Sequence, residues 1–148
     1  MTMPRLKILD VAPEAYRALS GVESYIQQCG LEKSLIELVK MRASQINGCA
    51  YCLDMHSKDA LKQGATPQRL VLLNAWRESS LYTPRERAAL AWTETLTKVA
   101  AEGAPDAVYA GLTAYFTGAE IANLTTLIGM INLWNRIAIG FNMQHPTA

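Results

Sequence analysis

Residues 37–56 read Glu37-Leu-Val-Lys-Met-Arg-Ala-Ser-Gln-Ile-Asn-Gly-Cys49-Ala-Tyr-Cys52-Leu-Asp-Met-His56. In and just before the first half, Leu35, Ile36, Leu38, Val39 and Ala43 make a wide apolar face, which predicts a helix over about Glu32 to Ile46. Asn47-Gly48 then supplies the left-handed residue that stops a helix. A second helix is predicted from near Cys49 to Gln63, ended by Gly64. The stretch therefore reads as a helix hairpin whose second arm carries a C-x-x-C-x-x-x-H pattern.

The same punctuation continues outward. A helix is expected over Pro13 to Gln28, ended by Cys29-Gly30. Thr66-Pro67 reads as an N-cap with proline at the first helical position, opening a helix to about Glu78. Thr83-Pro84 repeats the signal, with Glu86 completing a capping box for a helix towards Val99. Pro105 starts another that ends by Gly118, and a final one covers about Ala119 to Phe141. That last segment is apolar on most sides, as expected of a central or interface helix. No short run shows the alternation of a half-buried strand, and no repeat or low-complexity segment interrupts the chain. The expectation is an all-α fold of about six to seven helices in a single domain over residues 1–148.

Composition narrows the function classes. Half of the 148 residues are hydrophobic and 18% are charged, too apolar for a disordered chain. Fourteen basic against thirteen acidic residues leave a net charge of +1, with no basic run, so nucleic acid is not an expected partner. The segment Ile121 to Asn135 lacks charge but falls short of the ~20 mostly apolar residues of a membrane span. Asp10 and Glu14 precede any apolar stretch, so no signal-peptide core is expected. Three cysteines are few and odd for a secreted scaffold, which points to a cytoplasmic protein using thiols in reduced form or in chemistry. Low charge and the all-round apolar last helix also predict a homo-oligomer.

The chemistry concentrates at Cys49, Cys52 and His56. At ~100° per residue, Cys52 lies about 60° and His56 about 20° from Cys49 around a helix, so one stripe would carry all three. Cys49 opens the helix, where unpaired N–H groups and the dipole stabilise a thiolate. His56 lies one turn beyond Cys52 and offers it an imidazole base. Two cysteines at this spacing can close a disulfide once one has become a sulfenic acid, and an external dithiol can reopen it. Glu37 lies about 16 Å before the turn and His56 about 10 Å after it, so a direct contact is not assured; a water or a shifted helix would link them.

These residues resemble the alkyl hydroperoxidase D/carboxymuconolactone decarboxylase family of helical proteins. Its pattern of a Glu twelve residues before the first Cys, a C-x-x-C, and a His four residues after the second Cys is matched by Glu37, Cys49, Cys52 and His56. Ala43-Ser44-Gln45 and Asn47-Gly48-Cys49 are similar to it too, and the likeness spans roughly residues 30 to 100. The resemblance implies a cofactor-free, antioxidant thiol peroxidase or disulfide reductase, acting on a hydroperoxide or disulfide with a lipoyl- or thioredoxin-like dithiol as reductant. It also implies a trimer or hexamer, with Cys52 peroxidatic, Cys49 resolving, and His56 and Glu37 as a proton relay. One position departs: Tyr51 stands where the alkyl hydroperoxidase D proteins proper carry a second histidine. A phenol can donate a hydrogen bond but is no base at neutral pH.

Other readings of the same residues are a metal site built from both sulfurs, His56 and Glu37, a purely structural oligomer, and a lactone decarboxylase, a branch that typically lacks the cysteine pair. Glu37 could instead pair with Lys33 or Lys40. Arg42 is expected to be structural, Cys29 inert, His145 exposed, and Trp76, Trp92 and Trp134 core or interface residues.

Overall fold

Gly48 adopts φ 69°, and the backbone N–H groups of Gly48 and Cys49 return to the carbonyls of Gln45 and Ser44, closing the first arm of the hairpin in a Schellman turn. Around this turn the computed structural model, which describes residues 3–147, is entirely helical. In chain order the described residues form α1 (Ile8–Val11), α2 (Pro13–Gln28), α3 (Lys33–Asn47), α4 (Ala50–Lys62), α5 (Pro67–Val71), a 3-10 turn (Leu73–Ala75), α6 (Pro84–Thr97), α7 (Val99–Glu102), α8 (Asp106–Thr113) and α9 (Gly118–Gly140).

The surplus over the expected six to seven helices lies in short pieces. α1 and α7 are single turns, and the helix expected to reach Glu78 stops at Val71 and passes into the 3-10 turn. Beyond that turn Arg87 holds the carbonyls of Trp76, Arg77 and Ser79, fixing the irregular stretch that leads to α6. The helix expected to end by Gly118 stops at Thr113. A second capping box, Thr117 with Glu120, then opens α9 one residue earlier than expected.

The central element is α3, which packs against α4, α6 and α9. Nine of its fifteen residues are buried, including Glu37, Lys40 and Ser44. Its apolar positions feed two cores. Leu35, Ile36 and Val39 meet Ile26, Trp92, Leu124, Leu127 and Ile128; Leu38 and Met41 meet Leu73, Trp76, Tyr82 and Leu90. At about 1.5–3 kcal/mol per fully buried large side chain, these contacts fix α3 as the post on which the polar residues are mounted. α9, all-round apolar in sequence, buries one stripe and leaves Leu133 and Ile139 exposed. No helix among the described residues is long and apolar enough to cross a membrane.

Candidate active site

Cys49 is the N-cap of α4 rather than a member of its helical stripe. Its backbone is extended, and its sulfur accepts the backbone N–H of Cys52 at 3.4 Å. The Cys52 thiol in turn approaches the Cys49 sulfur to 2.7 Å. Both cysteines are buried, and neither is in a disulfide. This contact divides the two thiols. The bond from Cys52, aided by the N–H at the helix start and the nearby His56 charge, outweighs burial and lowers Cys49 from 9.0 to about 6. Cys52, which gives its proton to that bond and sits buried beside the resulting anion, is pushed well above its ordinary value. The contact therefore favours ionisation of Cys49 over that of Cys52.

Glu37 and His56 meet directly. The His56 Nδ1–H donates to Glu37 Oε2 at 3.0 Å, and both side chains are buried. The linking water or helix shift expected from the turn is not needed. Helix rise alone leaves an axial offset of roughly 6 Å, which two long side chains close. The alternative pairings of Glu37 do not occur: Lys40 bonds Glu23, and Lys33 bonds the carbonyl and side chain of Gln27. With Nδ1 committed to the carboxylate, Nε2 is the ring nitrogen left for chemistry.

Cys52, His56 and Glu37 share the wall of a cavity of about 520 Å³, with Lys40, Asp59, Tyr51, Met55 and Trp134 among the others lining it. Cys49 faces a separate recess of about 200 Å³. No hydrogen bond joins His56 to either sulfur, so a proton passing between imidazole and thiol crosses through whatever occupies the cavity. Its lining is mixed: Tyr16 stacks edge-on against Trp134, ring centres 5.5 Å apart, and Met55 and Met143 line it together with Glu23, Lys40 and Asp59. Trp134, expected in the core or an interface, is half-buried here.

The four-ligand metal set of both sulfurs, His56 and Glu37 is not assembled. Among the described residues the metal-type cluster is Glu37, His56 and Asp59, whose ligand atoms lie within 4.8 Å of one another, and Glu37 in it is already engaged by His56 Nδ1. The other residues singled out in the sequence lie away from this cluster. Arg42 pairs with Glu94 at 2.7 Å, the half-buried Cys29 donates to the Ile26 carbonyl, His145 is exposed, and Trp76 and Trp92 are buried. Sequence reasoning overlooked Asn132 and Asn135, which lie one turn apart on α9 and bond to Asn47 at the hairpin turn. Their signal is legible afterwards: amides within an otherwise apolar helix are costly unless something meets them.

Comparison with known proteins places this geometry. The sequence profile of the carboxymuconolactone decarboxylase family matches residues 13–95. The uncharacterized protein YdfG of Bacillus subtilis is 38% identical over 135 residues, covering 91% of this chain and 92% of that one. A crystal structure of a protein of unknown function from Agrobacterium tumefaciens, described as a candidate antioxidant-defence protein AhpD, superposes with a TM-score of 0.96. It is 46% identical and covers 99% of this chain and all of that one. The debrominase Bmp8 shares the fold, with a TM-score of 0.84 at 19% identity, covering 94% of this chain and 75% of its own. The chain belongs to the carboxymuconolactone decarboxylase family and has the AhpD-like fold.

Proposed function

We propose that the protein is a thiol-dependent oxidoreductase that reduces hydroperoxides or disulfides by cycling Cys49 and Cys52 between dithiol and disulfide. The observation that carries this reading is the pair of sulfurs 2.7 Å apart, one of them on the wall of a cavity shared with a hydrogen-bonded His56–Glu37 pair. The likeness to the candidate antioxidant protein from Agrobacterium tumefaciens supports it.

Cys52 is the nucleophile, because Cys52 and not Cys49 lines the larger of the two cavities. Its proton passes to Cys49 across the short contact as it attacks the terminal oxygen of a hydroperoxide. The O–O bond breaks, the alkoxide takes a proton relayed from His56 and leaves as the alcohol, and Cys52 becomes a sulfenic acid. Cys49 then attacks the Cys52 sulfur. The S–S bond forms and hydroxide leaves, protonated to water, so two thiols have reduced ROOH to ROH and water. An external dithiol of the lipoyl or thioredoxin class restores the pair by exchange. Glu37 holds His56 in the tautomer and orientation this requires, and Tyr51 can donate a hydrogen bond from the cavity wall. Self-association is part of the proposal, supported by the low charge and by Leu133 and Ile139 exposed on α9, as is a reducing, cytoplasmic setting for the free thiols.

The test is a panel of hydroperoxides and small disulfides with a dithiol donor, followed by mass spectrometry. Dithiol-dependent consumption and a Cys49–Cys52 disulfide are expected. Turnover that survives Cys52→Ser, or peroxide exposure that leaves both thiols free, overturns the reading. The same variant separates it from lactone decarboxylation, which needs neither sulfur.

A further inference from the structure

α9 ends in the same kind of turn that ends α3. Asn142 takes φ 51°, its N–H returns to the Ile139 carbonyl at 3.2 Å, and that of Met143 returns to the Ala138 carbonyl at 2.9 Å, the two bonds of a Schellman motif. Such a turn folds the residue after the left-handed one back onto the helix it closes. Here that residue is Met143, and it packs with Ala138 against the buried Cys49 and Cys52, where Tyr51 of α4 joins them. Tyr51, Ala138 and Met143 line both the cavity of about 520 Å³ and the recess of about 200 Å³, whereas Cys52 lines only the first and Cys49 only the second. We propose that Met143 is a specificity-determining residue: with Tyr51 and Ala138 it forms the partition between the two spaces, and it confines a hydroperoxide or disulfide held in the larger one to the sulfur of Cys52.

The chemistry gives the partition its use. Cys49 is the more readily ionised of the two thiols, and the thiolate is the form that a peroxide oxidises. Closing the disulfide needs one sulfenic acid and one thiol, because the remaining thiolate displaces hydroxide from the sulfenic sulfur; two sulfenic acids leave no thiol for that step. A wall that keeps the substrate off Cys49 therefore preserves the resolving sulfur until Cys52 has reacted. The side chain suits the place. Ala138 is too short to close the gap between helix end and sulfurs, and the unbranched thioether of Met143 fills an irregular space of this kind. Met143 also lies beyond the last residue of α9, so shortening it leaves the helix–helix contacts in place.

This inference rests on the thiol-redox reading for its use, but its test reads access and not turnover. With Cys29→Ser and Cys52→Ser, Cys49 is the one thiol of the chain. Its rate is measured with methyl methanethiosulfonate, a small reagent, and with dipyridyl disulfide, a neutral two-ring one. Dividing the second rate by the first cancels the nucleophilicity of the sulfur and leaves access. Met143→Ala should raise this ratio about tenfold, whereas Met143→Leu, which rebuilds the wall, should move it less than about twofold. A folded Met143→Ala protein with an unmoved ratio overturns the inference. Should that variant fail to fold, Tyr51→Ala opens the same wall from α4, and an unmoved ratio there overturns it equally. Wild-type protein that turns over neither hydroperoxides nor disulfides would sink the proposed function and leave the partition standing; turnover with an unmoved ratio would do the opposite.

Discussion

Glu94 and Glu37 are both carboxylates buried on packed helices, α6 and α3, and they differ in the donors that meet them. Glu94 receives Arg42 at 2.7 Å, the Trp76 indole N–H at 3.0 Å, and Arg77. Burial alone would raise its carboxyl, but these bonds outweigh it and hold the group below its ordinary range. Its four lone-pair sites are nearly filled, and it lines neither of the two cavities beside the cysteines. Glu37 meets one donor, His56, and the second ring nitrogen of that histidine is left towards a cavity that also reaches Cys52. A saturated buried charge ties helices together; an under-coordinated one, next to space and a titratable partner, is available to move protons.

Substitutions can break this contrast. The largest effect is expected at the sulfur: Cys52→Ser should lower dithiol-dependent turnover at least a thousandfold, while urea denaturation shifts by less than about 1 kcal/mol. Glu94→Gln should do the reverse. It leaves Arg42 partly buried without its charge partner, and about 3 kcal/mol of stability should be lost, read by urea denaturation, with kcat little changed at temperatures where the variant is folded. Glu37→Gln falls between them, with turnover down about a hundredfold and stability altered by roughly 1 kcal/mol, because the amide keeps the shape but not the charge that supports an imidazolium.

Acidity sharpens the comparison. The folded state depresses Glu94 below its ordinary 4.5, so its contribution is fully present above that pH and is lost as pH falls further. Cys49 falls from 9.0 unfolded to about 6 folded, which is the same sign in a higher window: its contribution is complete above pH 9 and disappears as pH drops through 6. Denaturation of the reduced protein between pH 6 and 9 should therefore show a rise in stability from this source, partly offset near pH 9 by the raised Cys52. Cys49→Ser should flatten the rise, whereas Glu94→Gln should leave its slope intact. A slope unaltered by Cys49→Ser would remove the assignment of the charge to that sulfur.

The two regions also differed in how far they could be read in advance. The Glu37–Cys49–Cys52–His56 spacing, the Gly48 turn and the Thr83–Glu86 capping box are local, and local patterns carry their geometry with them. Glu94 has no such signal, since nothing near it in the chain announces that Arg42, fifty-two positions earlier, folds against it. The stretch after Val71, where a helix to Glu78 is expected, is likewise held from afar: the Arg87 bonds that fix it come from a different element.

What the sequence by itself determined is the all-helical hairpin and the membership of the Glu37–Cys49–Cys52–His56 set, because helix periodicity and end signals act over a few residues, and C-x-x-C-x-x-x-H lies within two turns. Only the tertiary structure decided how the set is wired. Packing of α9 on α3 and α4 brings Asn135 to Asn47 and Ser44, Ala138 to the thiols, and the cavity to Cys52. The angle of the hairpin lets Glu37 touch His56 directly. The N-cap position of Cys49, rather than a place on the helical stripe, gives its sulfur the Cys52 N–H and thiol, so that the two thiols are shifted in opposite directions. Bond directions and burial depend on elements far apart in the chain, which no spacing rule spans.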